Sequence, residues 1–427
     1  MRNLSIWLFL MLPLLVMAQT SRKEIYSDLN KAGGVYYAYP VTAPVKVTPA
    51  PKGYEPFYIS HYGRHGSRYL IGDNDYESPY KLLVKAQNDG VLTPLGKDAL
   101  KRLISVYKIA KGRGGDLSPL GVRQHRGIAE RMFKAYPQVF AGNVAVDARS
   151  TMVVRCVLSM SAFCERLKEL NPNLRISRDA SNHDMNYLCH YSREAEAYSN
   201  SAEYKAEYKQ FDSISVNGDS IAARLFSNAD YVKRNIDTHK LIWSLYWLAV
   251  DMQDIDSPIS FYDLFSKNEL FNLWQVFNFR MYSTNGNYAG NHGLMVDNAR
   301  YLLSNIVESA DSIIAAHGHG ATLRFGHDGN IIPLAAIMQL NNCYAAATSP
   351  AETYKLFSDF KIAPMAGNVQ LIFFRNSSRP GDILVKFLLN EQEKSVPVKT
   401  DCYPFYHWKD VRSFFTNIIN KNVKATN

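Results

Sequence analysis

The sequence predicts an α/β protein, a three-layer sandwich with a mainly parallel central sheet and an inserted, mostly helical cap domain. Three observations predict it. Short β-branched and aromatic runs alternate with amphipathic helical stretches near both ends of the chain. Two of those runs end in Gly-punctuated turns that carry His beside Arg or Asp. Between the two halves lies a long block with aromatic residues at helical spacing and no strand-like run.

The N-terminus differs in kind from the rest. After Arg2 comes the apolar run Ile6 to Val16, broken by Pro13, and Val16-Met17-Ala18 closes it with the small residue that signal peptidase prefers. It is too short and too proline-broken for a good spanning helix. Residues 1–18 therefore read as a cleaved signal peptide of an exported protein, periplasmic or secreted. No cysteine follows the cleavage point and no later segment reaches spanning length, so no stable membrane anchor is expected. Residues 19–56 then begin polar and become proline-rich (Pro40, Pro44, Pro49, Pro51, Pro56), which reads as an extended lead-in.

Phe57-Tyr58-Ile59-Ser60-His61-Tyr62 reads as the first strand, entering a core and ending in the turn Gly63-Arg64-His65-Gly66-Ser67-Arg68. Two helices follow with the same entry chemistry. Thr93-Pro94-Leu95-Gly96 and Ser118-Pro119-Leu120-Gly121 each offer a hydroxyl N-cap and then Pro at the first helical position, where its missing N–H costs nothing. The first should bury Leu95, Leu100, Leu103, Ile104 and Tyr107, and the second Val122, Ile128, Ala129 and Phe133. Val144 to Ala148 reads as a short buried strand, and Ser150 to Leu167 as a helix with a hydroxyl cap and Arg155 one turn inside its start.

Residues 183–310 form the expected cap, with aromatics recurring at helical spacing in Tyr231–Met252 and Phe261–Tyr282. They supply its core and a few could line a cleft. The α/β domain would then comprise residues 19–182 and 311–427. In its second half Thr322 to Gly326 reads as a strand, followed by His327-Asp328 and an apolar helix Ile331–Leu340. Val369 to Phe374 is a buried strand, with Ile383–Leu389 and Val396–Val398 as an edge hairpin.

Composition fits a large globular core: 47% of the 427 residues are apolar and 12% aromatic, with no internal repeat or low-complexity tail. The net charge of +9, lowered by one when Arg2 leaves with the signal, suits an anionic substrate or partner. The five cysteines show no zinc spacing. Cys156 and Cys164 are too far apart on one helix to bond each other, one or two long-range disulfides are open, and the odd number leaves at least one thiol free.

The chemistry sits in the first turn. Arg64 and Arg68 flank His65, and two guanidinium forks beside one imidazole suit a tetrahedral oxyanion, because Arg binds phosphate oxygens bidentately and keeps its charge. Their field lowers the pKa of His65 and leaves a ring nitrogen lone pair for attack on phosphorus. Gly66 removes a Cβ where the backbone comes close to something or takes an unusual φ. Arg155, near a helix N-terminus, extends the same anion site. His327 and Asp328 sit where a strand's carboxyl end meets a helix start, the place where open α/β sheets bind ligands. His61, His125, His183, His190, His292, His317, His319 and His407 read as structural or surface residues.

Together these motifs resemble the histidine acid phosphatases, the second branch of the histidine phosphatase superfamily. The likeness rests on Arg64-His65-Gly66-Ser67-Arg68, Thr151-Met152-Val153-Val154-Arg155 and His327-Asp328, in that order, and extends to Met365-Ala366-Gly367-Asn368. It implies that His65 attacks phosphorus and forms a phosphohistidine. Arg64, Arg68, Arg155 and His327 would bind the non-bridging oxygens, and Asp328 would protonate the leaving alkoxide, giving an optimum below neutrality. It implies no metal and no cofactor.

Two departures stand out. Tyr69-Leu70 occupies the place where the family often has Pro. The Arg-His-Gly-x-Arg-Tyr start resembles multiple inositol polyphosphate phosphatases, which commonly use His-Ala-Glu as the distal motif, whereas the His327-Asp328 pair here resembles that of bacterial phytases and general acid phosphatases. The expected partner is a small-molecule phosphate ester, with inositol polyphosphates such as phytate among the candidates, and not nucleic acid. A non-catalytic exported binder of phosphorylated sugars or inositols is the alternative, although binding alone needs neither His65 nor Asp328. A phosphomutase is a third reading. Lys233 and Arg234 of the cap could contact further phosphates, but read first as solvated helix residues.

Overall fold

The computed structural model describes residues 20–42 and 47–421; the expected signal peptide lies outside them. The sheet has the order β3-β2-β4-β1-β5-β6-β7, with a short β8 beside β6. Its strands are β1 (Tyr54–Arg64), β2 (Ala145–Ser150), β3 (Arg175–Asp179), β4 (Gly320–Gly326), β5 (Asn368–Asn376), β6 (Arg379–Leu389), β7 (Gln392–Lys394) and β8 (Tyr406–His407). Strands β3, β2, β4 and β1 run parallel, and β5 to β8 complete the sheet in antiparallel fashion.

Because side chains alternate across a strand, each strand feeds two cores. Leu323 and Phe325 of β4, Ile59 of β1, and Ile372 and Phe374 of β5 pack on one face. Tyr58 and Tyr62 of β1 and Val369, Leu371 and Phe373 of β5 pack on the other. The first face is covered by the helices α3 (Pro119–Ala135) and α4 (Val154–Leu170), through Ile128, Met132, Met160 and Phe163. The second core runs on into the helices α1 (Asp73–Asn88), α2 (Pro94–Ala110), α5 (Thr238–Asp251), α6 (Lys267–Asn285), α7 (Arg300–Ala315), α8 (Asp328–Ile337) and α9 (Trp408–Ile419). The long connection between β3 and β4 contains helices and no strand among the named elements. No helix among the described residues is long and apolar enough to cross a membrane.

The two hydroxyl caps form as the sequence predicts. Thr93 Oγ1 accepts from Gly96 N at 3.1 Å, and Ser118 Oγ from Gly121 N at 3.2 Å. Their buried faces are turned from the expected ones, since Ile104 and Val122 point outward and Val106 and Met132 pack inward.

Other expectations shift. The lead-in is not merely extended: residues 20–27 are helical, and Leu29–Tyr36 forms 3-10 turns that bring Val35 and Tyr36 into the core. The helix expected from Ser150 starts at Val154, because Ser150 still pairs with Phe325 in β2 and Thr151 N donates to Phe325 O at 3.0 Å. It has no side-chain cap, and Arg155 becomes its second residue. The hairpin partner of β6 on that side is Gln392–Lys394, not Val396–Val398. All five cysteines are free thiols, so no disulfide joins them.

Candidate active site

Register brings the three motifs to one level. Arg64 of β1 pairs with Gly326 of β4, and Ser150 of β2 pairs with Phe325, so residues 65, 151 and 327 leave three adjacent parallel strands at their carboxyl ends. That edge is where ligands of α/β sheets bind. Backbone bonds fix the exit: His65 N donates to Gly326 O at 2.9 Å, Arg64 N to Gly367 O at 2.8 Å, and Ala366 N to His65 O at 2.9 Å. The Met365–Asn368 segment is thus a clamp on the first motif.

Gly66 is explained by close approach. A Cβ there would lie 2.5 Å from the Gly121 carbonyl oxygen and 2.6 Å from its Cα, at the start of α3. Gly121 returns the constraint, since its own Cβ would lie 2.3 Å from Ser67 O. Ser159 of α4 accepts from Gly66 N at 3.1 Å and donates to Arg155 O at 2.8 Å, which ties the first turn of α4 to the same loop.

His65 is buried, and its Nδ1 lies 2.9 Å from the Gly66 carbonyl oxygen. A carbonyl only accepts, so Nδ1 carries the proton and Nε2 keeps its lone pair. Burial holds His65 well below its ordinary pKa, and the charges of Arg64, Arg68 and Arg155 and the neighbouring His327 push it further down. The ring is therefore neutral with Nε2 available.

The cations are held in different ways. Arg64 is fully buried; its Nη1 donates to the carbonyls of Val35 and, at 2.9 Å, Ala363, and its Nη2 lies 2.9 Å from Asp328 Oδ2. Arg68 donates to Tyr69 O at 2.8 Å and Tyr36 Oη at 3.1 Å, with its guanidinium 4.7 Å from the centre of the Tyr36 ring. Arg155 is half-buried, and its Nε, like that of Arg64 and Arg68, has no hydrogen-bond partner among the described residues.

His327 stands with its ring centre 5.7 Å from that of His65, and its Nε2 is 3.3 Å from Thr151 Oγ1. Burial pushes it down to about 4; Asp328 opposes that, and Arg155, Arg64 and Arg68 reinforce it. Asp328 opens α8 and accepts from Gly329 N at 2.8 Å. Burial alone would raise its pKa, but Arg64, His327 and Arg68 outweigh burial and hold it below the ordinary carboxylate value.

His65, Arg68, Arg155, His327 and Asp328 line one cavity of about 510 Å³, and Arg64 reaches it through Asp328. The opposite wall comes largely from the β3–β4 connection, including Trp247, Phe277 and Arg280. Sequence reasoning missed several wall residues, Tyr36, His190 and Arg280 among them. Tyr36 lies in a stretch without periodicity, His190 reads as one of the structural or surface histidines, and Arg280 carries no local signal. Lys233 and Arg234, the cationic pair singled out instead, are exposed and do not line the cavity.

Among the described residues one grouping has metal-ligand geometry, Asp401, Cys402 and His407. It does not line this cavity, and its imidazole is already shared between Asp382 at 2.7 Å and Asp401 at 3.2 Å.

The profile of the histidine phosphatase superfamily (branch 2) matches residues 63–390. The chain belongs to that superfamily, a class of phosphatases. In fold it is similar to the multiple inositol polyphosphate phosphatase of Bifidobacterium longum. Against that enzyme's complex with inositol hexasulfate the TM-score is 0.73 at 18% identity, covering 90% of this chain and 97% of the other. Against the apo form the TM-score is 0.71 at 19% identity, with the same coverage. The phytase of D. castellii gives 0.63 at 14% identity, covering 92% of this chain and 86% of the other. No curated protein sequence matches this chain.

Proposed function

We propose that the protein is an exported phosphomonoesterase working through a phosphohistidine. In the first step His65 Nε2 bonds to phosphorus as the bond from phosphorus to the alcohol oxygen breaks, and Asp328 gives its proton to the departing alkoxide. In the second, water attacks the phosphoryl group, Asp328 takes the water's proton, and the nitrogen–phosphorus bond breaks to release phosphate. Arg64, Arg68, Arg155 and His327 bind the non-bridging oxygens; the three guanidiniums, which never lose their charge, neutralise the phosphoryl group, and His327 adds a hydrogen bond.

The observation that carries this reading is the pairing of a neutral His65, its Nδ1 occupied by Gly66, with Asp328 in one cavity. A binding protein would need the cations and neither of these two groups. The depressed pKa of Asp328 adds a condition: beside Arg64 it is a carboxylate until phosphate enters. An entering phosphate competes for Arg64 and places negative charge beside Asp328, and both effects favour its protonated form. Activity should therefore fall as the solution becomes alkaline, which makes the enzyme an acid phosphatase in behaviour.

Inositol polyphosphates are the substrate class we favour. The similar folds include a multiple inositol polyphosphate phosphatase with inositol hexasulfate bound and a phytase. Arg280 adds a cation to the wall facing the site. Export rests on residues 1–18 alone. The direct test is phosphate release from p-nitrophenyl phosphate by the protein and by His65→Ala, followed by a panel of phytate, glucose 1-phosphate and nucleotides. We expect release by the first, none by the variant, and preference for phytate; equal turnover by His65→Ala would refute the assignment.

A further inference from the structure

Ser67 fills the open position of the Arg-His-Gly-x-Arg motif, and all its polar atoms are engaged. Its N donates to Gln124 Oε1 at 2.8 Å, and its carbonyl accepts from Ser118 N at 2.9 Å and Ser118 Oγ at 3.0 Å. Its hydroxyl accepts from Gln124 Nε2 at 2.9 Å and donates to Asp254 Oδ1 at 2.6 Å. Asp254 is fully buried and lies just past the end of α5, in the β3–β4 connection.

Three residues earlier stands Asp251, also fully buried. Its Oδ2 accepts from Tyr76 Oη at 2.5 Å, and the same Tyr76 oxygen accepts from Leu70 N at 2.8 Å. Two acids on one turn thus grip the nucleophile loop on either side of Arg68, at Ser67 and at Leu70. Among the described residues neither forms an ion pair, and one oxygen of each, Asp254 Oδ2 and Asp251 Oδ1, has no hydrogen-bond partner. Burying two acids a turn apart is costly, and an amide or an apolar side chain would serve packing better.

We propose that Asp254 and Asp251 are positioning residues: acting through Ser67 and Tyr76, they set where Arg68 and His65 stand in the cavity, and so couple the helical connection to the nucleophile loop. The proposal rests on the reading of His65 as nucleophile. It differs from a purely structural role in one respect. A structural clamp would lower the melting temperature and leave turnover per folded molecule unchanged, whereas a misplaced nucleophile loses turnover even in a stable fold.

The test uses the full-length chain with p-nitrophenyl phosphate, measuring kcat, KM and thermal midpoint for Ser67→Ala, Asp254→Ala, Asp254→Asn, Tyr76→Phe and the double variant Ser67→Ala/Asp254→Ala, beside His65→Ala. We expect Ser67→Ala and Asp254→Ala each to lose about tenfold or more in kcat with a smaller change in KM, and Tyr76→Phe to lose several-fold. The double variant should match the worse single, because the Ser67–Asp254 bond is lost in both singles and the bond from Gln124 goes only with the Ser67 hydroxyl. Asp254→Asn should recover most activity, since its amide oxygen still accepts from Ser67. Wild-type kcat in a folded Ser67→Ala, losses that multiply in the double variant, or activity that simply tracks the thermal midpoint would each overturn the proposal. If Asp254→Ala fails to fold, Ser67→Ala decides alone, as it removes only a hydroxyl. Turnover by His65→Ala is a separate failure, of the nucleophile reading itself, and the proposal falls with it.

Discussion

Arg64 and Asp328 form an ion pair across the site, Nη2 to Oδ2 at 2.9 Å, with the guanidinium fully buried and the carboxylate side chain 26% exposed. The pair joins the ends of two adjacent parallel strands, and it puts the proposed proton donor under the control of the proposed phosphate ligand. Arg64 cannot move, because two backbone carbonyls hold its other nitrogen. Asp328 can respond, because its second oxygen has, among the described residues, only the Gly329 amide.

Replacing the carboxyl should expose its role through the leaving group. We expect Asp328→Asn to lose about 10²–10⁴-fold in kcat on an alkyl phosphate, where the alkoxide needs a proton. The loss should be much smaller on p-nitrophenyl phosphate, whose phenolate leaves unaided. Equal losses on the two substrates in steady-state assays would remove Asp328 from the proton-transfer step.

Arg280 tests the substrate class. It lies on the cavity wall with its guanidinium 5.8 Å from the centre of the Phe277 ring, outside the cluster around His65. Arg280→Ala should raise KM for phytate about tenfold, the worth of one phosphate contact, and leave p-nitrophenyl phosphate unaffected. An identical KM for phytate would argue against a polyphosphorylated ligand on this wall.

Acid should weaken the fold through buried histidines. Burial pushes His61 down to about 3 and His125 to about 4, below the value of about 6.5 that an unfolded chain has. Their folded-state pKa is depressed, so the unfolded chain binds more protons in this window; stability is whole above the unfolded value and falls as pH drops from there towards 4, by up to about 1.4 kcal/mol per unit for each ring. Asp251 and Asp359, which burial raises to about 7, act in the opposite sense, losing stability as pH rises through that value. His125→Leu isolates one ring. Urea unfolding between pH 7 and 4.5 should show a shallower acid decline than the wild type, and parallel slopes would contradict the assignment.

How much of this was legible follows from where each signal is encoded. The three motifs, the strands β1, β4 and β5, and the caps at Thr93 and Ser118 are local patterns, readable from residue type and spacing. The start of α4 was misplaced because the pairing of Ser150 with Phe325 is a non-local bond that keeps the chain extended. Tyr36 and its stacking on Arg68 were invisible because Leu29–Tyr36 has neither period 2 nor 3.6, and its order comes from packing on α5 and α6. From sequence Gly66 fits either a close approach or an unusual φ, and only the position of Gly121 decides for the first. Arg280 looked no different from Lys233 until the fold showed which helix face opens on the cavity.

The most direct measurement is a rapid-quench experiment with radiolabelled phosphate ester, followed by peptide mapping of the trapped enzyme. We expect label on His65, stable to base and labile to acid, appearing before phosphate is released and absent in His65→Ala. Turnover with no covalent label at His65, or label on another residue, would contradict the nucleophile on which the whole site has been built.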